Sequence, residues 1–376
     1  MPRLIILQKD KSQLDEPVYH YLNEIDGSFM KVIYVNDYGV ERAEPDEELQ
    51  VVPDFEDAAL IKSYPREWFY YDGSNIGRLI KRLIASRPNV VLAADLDLRT
   101  RLVLSMFGKL GRFIVAVRSD KNEMSRHAHV GTRLALERQM YKLAFGALCG
   151  ISELTFDYYN WKDDNTRCLF PYTTDARKFT PKGNERKEVR ESFELTDDNF
   201  LFLAAVKFHP RENPLGIIEA FSQLAGSTPN ARLIILGSGP QHPAAQEIVG
   251  ATLRNQVYLP GYIPYAELQN YFFAADAFIH LPEHEPWGVS VQDALFCKLP
   301  VVANDRVGSA ARLMQGTAKK FIVKHAELQG TVALMRALVC EPSLREAFLE
   351  PYLAVKESFT ADRVACNLFQ FMKTLQ

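Results

Sequence analysis

Short apolar runs alternate with amphipathic segments along the first half of the chain. Residues 4–8, 30–35, 90–93 and 113–117 are brief runs rich in Val, Ile and Leu, a pattern typical of strands buried in a parallel sheet. Residues 76–84 instead place apolar side chains at every third or fourth position, which predicts an amphipathic helix. Alternating strands and helices favour a parallel sheet with helical crossovers.

A second series of the same kind begins near residue 199. The predicted strands are residues 201–206, 231–236, 257–259, 277–281 and 300–303, and the predicted helices are residues 215–224, 265–273 and a segment from about Gly288. Two separate series predict two doubly wound α/β domains that face a cleft, with small ligands at the carboxyl ends of the strands.

The junction between the two series is polar. Residues 179–198 are dominated by Lys, Glu, Arg, Asn and Pro and are the best linker candidate, whereas residues 360–375 have the pattern of a helix. We therefore predict an N-terminal domain over residues 1–185, a C-terminal domain over 186–355, and a C-terminal helix over 356–376 that packs back on the N-terminal domain.

The composition is that of an ordinary soluble protein. Among 376 residues, 44 Lys and Arg oppose 47 Asp and Glu, so the net charge of −3 gives no reason to expect a nucleic-acid partner. No apolar run approaches the roughly 18 residues that span a bilayer, and the apolar stretch at the N-terminus is too short for a signal peptide. Five scattered cysteines fit buried free thiols in a reducing compartment, which predicts a cytoplasmic protein.

The charge is distributed unevenly along the N-terminal domain. Residues 1–77 carry 7 basic and 16 acidic residues, and residues 78–142 carry 14 basic and 5 acidic residues, a change from −9 to +9. Such a change can mark a surface for an anionic partner, for example a peripheral contact with the inner face of a membrane. The alternative is that these basic residues cover solvated helix faces.

The residues that indicate function most clearly follow the strand predicted at residues 277–281. A loop carries Glu285, Gly288 permits a tight entry into a helix, and the amides of Val289 and Ser290 are free to bind an anion such as phosphate. Asp293 follows eight positions after Glu285.

This arrangement resembles the Glu-x7-Glu signature of retaining glycosyltransferases with the GT-B fold, particularly glycosyltransferase family 4, with Asp293 as the second acid. The resemblance implies that Glu285 lies by the donor sugar and that Asp293 binds the ribose hydroxyls of the nucleotide. Trp287, inside the signature, is either a packing residue or an aromatic on which a sugar stacks.

Other segments extend the resemblance from about Cys149 to the C-terminus. Lys207 falls on the first of two family positions whose basic side chains hold the donor pyrophosphate. Glu212 occupies the second and would repel phosphate, but Arg211 is adjacent and could substitute. Further donor-site positions are Gly237, in the turn after the next strand, and Tyr262 and Ile263, in a loop that often lies against the base.

The N-terminal domain matches less well. The Gly-Gly turn common after the first strand is absent, and Arg118, Asp120 and Asn122 stand where a His is often found near the acceptor. The resemblance places these three side chains along the acceptor side of the cleft.

The sequence thus predicts a retaining hexosyltransferase that moves a sugar from a nucleotide-sugar to a saccharide or lipid-linked acceptor, without metal or cofactor. Lys207, Arg211 and the helix amides would neutralise the leaving group in place of a metal. The alternatives are a non-catalytic GT-B protein that binds a sugar or nucleotide, and another GT-B enzyme such as a nucleotide-sugar epimerase. Asp95 and Asp97 also form the Asp-x-Asp of metal-dependent glycosyltransferases of another fold.

Overall fold

The computed structural model describes residues 3–9, 12, 14–36, 64–94, 96–111, 113–125, 128–177, 179–181 and 183–375. They form two parallel sheets flanked by helices, which confirms the predicted two-domain α/β architecture.

The first domain contains a seven-stranded sheet with strand order β3-β2-β1-β4-β5-β6-β7. Its elements, in chain order, are β1 (Leu4–Gln8), α1 (Glu16–Ile25), β2 (Met30–Asn36), β3 (Arg66–Tyr70), α2 (Ile76–Ser86), β4 (Val90–Ala93), α3 (Leu98–Gly111), β5 (Ile114–Ser119), α4 (Gly131–Ala144), β6 (Ala147–Gly150), α5 (Glu153–Tyr159) and β7 (Arg167–Leu169). Successive β1 residues point to opposite faces of the sheet, so Leu4 and Ile6 join one hydrophobic cluster, whereas Ile5 and Leu7 join another.

The second domain contains a six-stranded sheet with strand order β10-β9-β8-β11-β12-β13. Its elements are α6 (Glu185–Ser192), β8 (Phe200–Ala205), α7 (Pro214–Ala225), β9 (Ala231–Leu236), α8 (His242–Thr252), β10 (Val257–Gly261), α9 (Tyr265–Ala274), β11 (Ala277–His280), α10 (Val289–Phe296), β12 (Val301–Asn304), α11 (Gly308–Leu313), β13 (Ile322–Val323), α12 (Leu328–Cys340) and α13 (Leu349–Ser358). The strand order reverses between β8 and β11, and such a switch point opens a crevice at the carboxyl ends of the two strands.

The chain crosses between the domains twice, and the two crossings touch. Thr174, after β7, forms an isolated parallel bridge with Thr360, and its N–H donates to the carbonyl of Phe359 at 3.0 Å. Helix α14 (Ala361–Thr374) then packs on the first domain, where Val364 and Leu368 join the cluster that contains Leu4. The domain boundary predicted at residue 355 falls inside α13, which continues to Ser358.

The predicted linker over residues 179–198 is only partly a linker, because it contains helix α6. Arg190 of this helix is 3% exposed, and both Arg190 and Arg186 bind the carboxylate of Asp276 and the carbonyl of Ala274 in the second domain. The polar composition of α6 thus reflects a surface helix held by one buried and one exposed guanidinium group.

The five cysteines are all free thiols, but they are not all buried as the sequence analysis expected. Cys149 and Cys168 are buried, Cys297 is half-buried, and Cys340 and Cys366 are exposed. Within the part of the chain that the structure describes, no helix is long and apolar enough to cross a membrane.

Candidate active site at the domain interface

The entry into helix α10 has the geometry expected of an anion site. Gly288 has φ of 90°, and a Cβ on this residue would lie 3.2 Å from Cγ of Glu285, so both the backbone conformation and the space favour glycine. The first amides of a helix have no partner within the helix, and here they belong to the half-buried residues Val289 and Ser290. This helix end can therefore bind a negatively charged group.

Glu285 lies beside this helix end, in the loop between β11 and α10. Its carboxylate is 3.4 Å from the guanidinium of Arg211. Burial raises the pKa of the Glu285 carboxyl, and the negative charges of Glu212 and Asp120 act in the same direction, whereas Arg211 and the N–H of Trp287 lower it. The net effect is a raised pKa, so this carboxyl is held in a low-dielectric site shared by cationic and anionic neighbours.

Lys207 and Arg211 lie in the loop after β8, across the switch point from Glu285. Lys207 is exposed, and no ion pair is found for it among the described residues, which leaves its ammonium available to a ligand. Arg211 is partly exposed and donates to the carbonyl of His284 at 3.3 Å, in addition to its contact with Glu285. Of the residues predicted as catalytic, Arg211 contacts Glu285 directly, and Lys207 lies on the same loop as Arg211.

Glu212 has a structural role that the sequence analysis did not foresee. Its side chain is 8% exposed and turns inward. Oε2 accepts the N–H of Lys207 at 2.6 Å, and Oε1 accepts Nη2 of Arg211 at 2.7 Å. This carboxylate therefore holds the loop that carries both basic residues, and it competes with a phosphate for Arg211.

Gly237 contributes to the same loop through its lack of a side chain. A Cβ on Gly237 would lie 1.9 Å from the carbonyl oxygen of Val206, so any other residue would push the Lys207 loop away. Tyr262 and Ile263 follow β10 and are half-buried near the carboxyl end of the same sheet. Burial raises the pKa of the Tyr262 hydroxyl, which therefore stays protonated and can donate a hydrogen bond.

Asp293 is not on the wall of the cleft. Its carboxylate is 1% exposed and accepts the hydroxyl of Thr174 at 2.7 Å, so it faces the crossing segment between the domains. This placement corrects the expectation that Asp293 binds ribose, because the short side chain stays within the helix–crossing contact. Gln292, which the sequence analysis did not single out, donates to the same Thr174 hydroxyl at 2.9 Å.

Trp287 belongs to that contact as a packing residue. Its indole is 1% exposed, stacks on Phe359 with ring centroids 5.4 Å apart, and donates Nε1–H to Gln292 at 2.8 Å. A sugar cannot stack on a ring covered in this way, which corrects its assignment to the donor-binding set. Trp287, Gln292 and Thr174 instead join helix α10 to both crossings between the domains.

The burial of Asp293 predicts a pH-dependent stability difference. Burial raises its pKa from 3.8 to about 7, and only the Thr174 hydroxyl opposes this effect. The folded state therefore holds a proton that the unfolded chain releases above about pH 4, and stability is lost as the pH rises from about 4 to 7. Asp293→Asn keeps an acceptor for Thr174 without the charge, so we expect it to be more stable than the parent at pH 8 by a few kcal/mol, at about 1.4 kcal/mol per pKa unit.

Thermal or urea unfolding midpoints at about pH 4 and 8 measure this difference. The gap between Asp293→Asn and the parent should nearly close at the lower pH. The exposed carboxyl of Asp197 supplies the control variant Asp197→Asn, which should change little at either pH. An Asp293→Asn gap that is the same at both pH values would show that this carboxyl does not hold a proton in the folded protein.

Two of the three residues predicted on the acceptor side lie by the Glu285 loop, but Asn122 is 1% exposed, which corrects its assignment to the wall of the cleft. Asn122, in the loop after β5, donates its amide to the carbonyl of Pro286 at 2.7 Å and thereby joins the two domains at the Glu285 loop. Asp120 is exposed, and its charge contributes to the raised pKa of Glu285.

Arg118 is placed differently, which corrects the third acceptor-side assignment. It is 6% exposed, pairs with Asp15 at 2.6 Å, and donates to the carbonyls of Phe170 and Pro171. It therefore holds the chain that leaves β7 and does not line the cleft. Gln8 reaches the same Asp15 at 3.1 Å, so this cluster occupies the turn after β1 where the family commonly has two glycines.

The candidate metal motifs have structural roles where they can be described. Asp97 accepts the N–H and the hydroxyl of Thr100 and so caps the start of α3, whereas Asp95 lies outside the described residues. His280 ends β11, and its burial beside Arg211 lowers its pKa to about 4, so its ring is neutral near pH 7. Among the residues described, no group of three or more His, Cys, Asp or Glu side chains could hold a metal ion.

The two facing parallel sheets define the GT-B class. HepE from Anabaena, solved in complex with UDP, superimposes with a TM-score of 0.76 at 14% identity, covering 100% of both chains. Residues 185–350, which span the site-bearing domain, match the family model of the glycosyl transferases group 1. The resemblance stated from the sequence is confirmed at the level of the GT-B fold and of a segment that is similar to the group 1 glycosyltransferases.

Two curated relatives each match less than half of the chain. An alpha-monoglucosyldiacylglycerol synthase from Acholeplasma laidlawii is 23% identical over 145 residues, which cover 38% of this chain and 36% of the relative. A GDP-mannose-dependent phosphatidylinositol monomannoside mannosyltransferase from Corynebacterium glutamicum is 25% identical over 185 residues, 47% of this chain and 48% of the relative. The matched segments thus span less than half of each of these relatives.

Proposed function

We propose that this protein is a retaining, metal-independent glycosyltransferase that moves a sugar from a nucleotide-sugar to a saccharide or lipid-linked saccharide. One observation carries the proposal. Arg211 contacts Glu285 in the loop that leads into the first amides of α10, and Lys207 lies on the same loop as Arg211, where the carboxyl ends of the neighbouring strands β8 and β11 lie. Such a concentration of fixed positive charge suits the diphosphate of a nucleotide-sugar.

The reaction requires the diphosphate to leave. The bond between the anomeric carbon and the diphosphate oxygen breaks, the acceptor hydroxyl bonds to the same carbon, and its proton passes to the released diphosphate. Lys207, Arg211 and the amides of Val289 and Ser290 would stabilise the negative charge that develops on the diphosphate. Glu285 would orient the sugar hydroxyls, and its charge would favour the partly positive sugar ring of the transition state.

The other wall of the cleft would receive the acceptor. Asp120 of the first domain lies near Glu285, and the hydrogen bond from the buried Asn122 to Pro286 couples the two walls. Asp120 is an exposed carboxylate that can accept a hydrogen bond from an acceptor hydroxyl.

The names of the similar proteins support this proposal at the level of class. One is named a monoglucosyldiacylglycerol synthase and another a mannosyltransferase, the names of both contain a glycolipid, and HepE was solved with UDP. We therefore propose UDP-sugars and GDP-mannose as the first donors to test, with free saccharides and glycolipids as acceptors.

The experiment is a transfer assay preceded by a binding screen. UDP, GDP, ADP and CMP are first compared by thermal shift, because a nucleotide that binds only the folded state raises the melting temperature. The matching nucleotide-sugar is then incubated with acceptors, and nucleotide release and product are measured together. Release that depends on the acceptor, with the anomeric configuration of the donor kept in the product, supports retaining transfer, whereas inversion overturns the retaining assignment.

Transfer should survive chelation. Because Lys207, Arg211 and helix amides are assigned to the diphosphate, EDTA should leave the rate within about twofold of the untreated protein, far from the loss expected when a catalytic ion is removed. Complete loss with EDTA that is restored by Mn²⁺ or Mg²⁺ would contradict the metal-independent mechanism.

A non-catalytic GT-B protein that binds a nucleotide or a sugar is the second candidate. Two observations favour it: Glu212 occupies a basic position of the family and pairs with Arg211, and Asp293 is buried against Thr174. Nucleotide binding without turnover in the same screen would support this candidate over the enzyme.

A further inference from the structure

Helices α3 and α4 lie side by side on one face of the first domain and expose a row of large apolar side chains. Leu110 is 76% exposed, Leu136 72%, Leu143 65% and Met106 56%. A shallow groove between the helices is lined mainly by apolar residues, namely Leu102, Met106, Leu136, Met140, Leu143 and Ala144. Soluble monomers seldom expose contiguous apolar surface without a partner for it.

The same two helices are strongly basic. Residues 98–111 include Arg99, Arg101 and Lys109 and no acidic residue, and residues 131–144 include Arg133, Arg138 and Lys142 with one acidic residue. We call the exposed surface formed by Met106, Lys109, Leu110, Arg133, Leu136, Lys142 and Leu143 the α3–α4 face.

The single acidic residue does not neutralise this face. The side chain of Glu137 is 10% exposed and pairs with Lys121 at 2.8 Å, and it also accepts the hydroxyl of Tyr158. Its charge is therefore directed inward, toward the loop after β5. Lys109 donates to the carbonyl of Leu143 at 2.9 Å, a contact that leaves its positive charge uncompensated.

The combination of positive charge and apolar surface on the α3–α4 face indicates which kind of partner fits it. A second copy of the chain docked through the same face would bring two sets of three basic residues together, because a twofold interface pairs each patch with itself. An anionic membrane surface attracts Lys and Arg and accepts Leu and Met side chains among its acyl chains. We propose that the α3–α4 face docks the protein onto membrane surfaces that contain anionic lipid.

This docking surface goes beyond the proposed transfer reaction and does not depend on it. The cleft lies at the carboxyl ends of the strands of the same domain, and α3 and α4 begin at that end of the sheet. A protein held by this face would keep its acceptor-side wall close to the lipid surface.

Co-sedimentation of the full chain with vesicles tests the proposal without any activity measurement. Vesicles of phosphatidylcholine alone are compared with vesicles that contain phosphatidylglycerol, at low and high salt. We expect binding to the anionic vesicles at low salt, with a marked loss at high salt because surface charges are screened. Absence of binding to anionic vesicles at low salt would overturn the proposal.

Two double variants locate the surface. Leu110→Ser with Leu136→Ser removes apolar contacts, and Arg133→Glu with Lys142→Glu reverses charge. Each should lower the vesicle-bound fraction severalfold, since one basic residue near an anionic surface is worth about a fivefold change in partitioning. The substituted side chains are exposed, so the unfolding midpoint should stay close to that of the parent.

Matched variants on the second domain serve as controls. Leu349→Ser with Leu353→Ser replaces apolar residues that are 57% and 43% exposed, and Lys187→Glu with Lys319→Glu reverses exposed charges. Both controls should bind vesicles like the parent. The proposal would be wrong if the α3–α4 face variants also bound like the parent, or if they abolished a dimer that the parent forms without vesicles.

Discussion

Glu285→Gln and Lys207→Ala should each lower the turnover of the transfer reaction by about a hundredfold or more, the effect of losing one preorganised electrostatic contact at a reacting centre. Glu285 is held beside the α10 helix end by Gly288 and Arg211. Gln keeps the size of the side chain and removes its charge, so a loss reports on electrostatics and not on packing. Steady-state rates with the donor and acceptor found in the screen provide the measurement.

Neighbouring side chains supply matched controls for this prediction. Glu283 lies two residues before Glu285, but its carboxylate pairs with His325 at 2.9 Å, so Glu283→Gln should retain most of the activity. Lys187 is an exposed lysine on α6, and Lys187→Ala should likewise be active. If Glu285→Gln and Lys207→Ala both turned over at nearly the parent rate, the site would have to lie elsewhere.

Lys207 and Arg211 should not contribute equally to the stabilisation of the diphosphate. Arg211 is shared between Glu212 and Glu285, at 2.7 and 3.4 Å, so a diphosphate must compete with two carboxylates for its guanidinium. Lys207 has no such competitor among the described residues. We therefore assign the larger share of diphosphate stabilisation to Lys207.

The positions around Glu285 could be predicted because they follow local rules. A strand end, a carboxylate, a glycine with positive φ and a helix start are adjacent in the sequence, and together they specify a helix end that faces the cleft. Lys207 follows in the same way from its place after β8. Neither inference requires knowledge of which distant segments touch.

Asp293, Trp287 and Arg118 could not be placed from the sequence, because their environments come from distant parts of the chain. Thr174 reaches Asp293 from 119 positions away, and Arg118 meets Asp15 across 103 positions. Spacing along a helix shows which side chains share a face, but it does not show that this face is covered by the crossing between the domains. The family resemblance gave these residues roles that require exposure.

The strand predictions also divide into those that a local sequence pattern supports and those that it does not. The predictions for residues 4–8, 90–93 and 231–236 agree with β1, β4 and β9 residue for residue. In the first sheet the sequence analysis did not identify β6 (Ala147–Gly150), a buried strand of four residues, or β3 (Arg66–Tyr70) and β7 (Arg167–Leu169), which are the two edge strands. Edge strands are only partly buried and contain charged residues, so they lack the continuous apolar run that marks a central strand.

Arg118→Leu should destabilise the protein by about 3–5 kcal/mol, the cost of breaking a buried ion pair and leaving one charge without a partner. Arg118 and Asp15 have side chains 7% and 5% exposed, so water cannot replace the lost guanidinium. The carbonyls of Phe170 and Pro171 would lose a donor at the same time. Thermal and urea unfolding midpoints of the variant and the parent measure the effect.

A second variant separates the unpaired charge from the lost packing. Asp15→Asn combined with Arg118→Leu removes the orphaned carboxylate, so the double variant should be more stable than Arg118→Leu alone. Arg312→Leu is the exposed control, because Arg312 and Glu153 form a two-bonded ion pair at 2.6 and 2.7 Å with side chains 43% and 41% exposed. Such a pair is worth about 1 kcal/mol at most. Arg118→Leu and Arg312→Leu with equal small effects would contradict the view that the Arg118–Asp15 cluster holds the chain where it leaves the first domain.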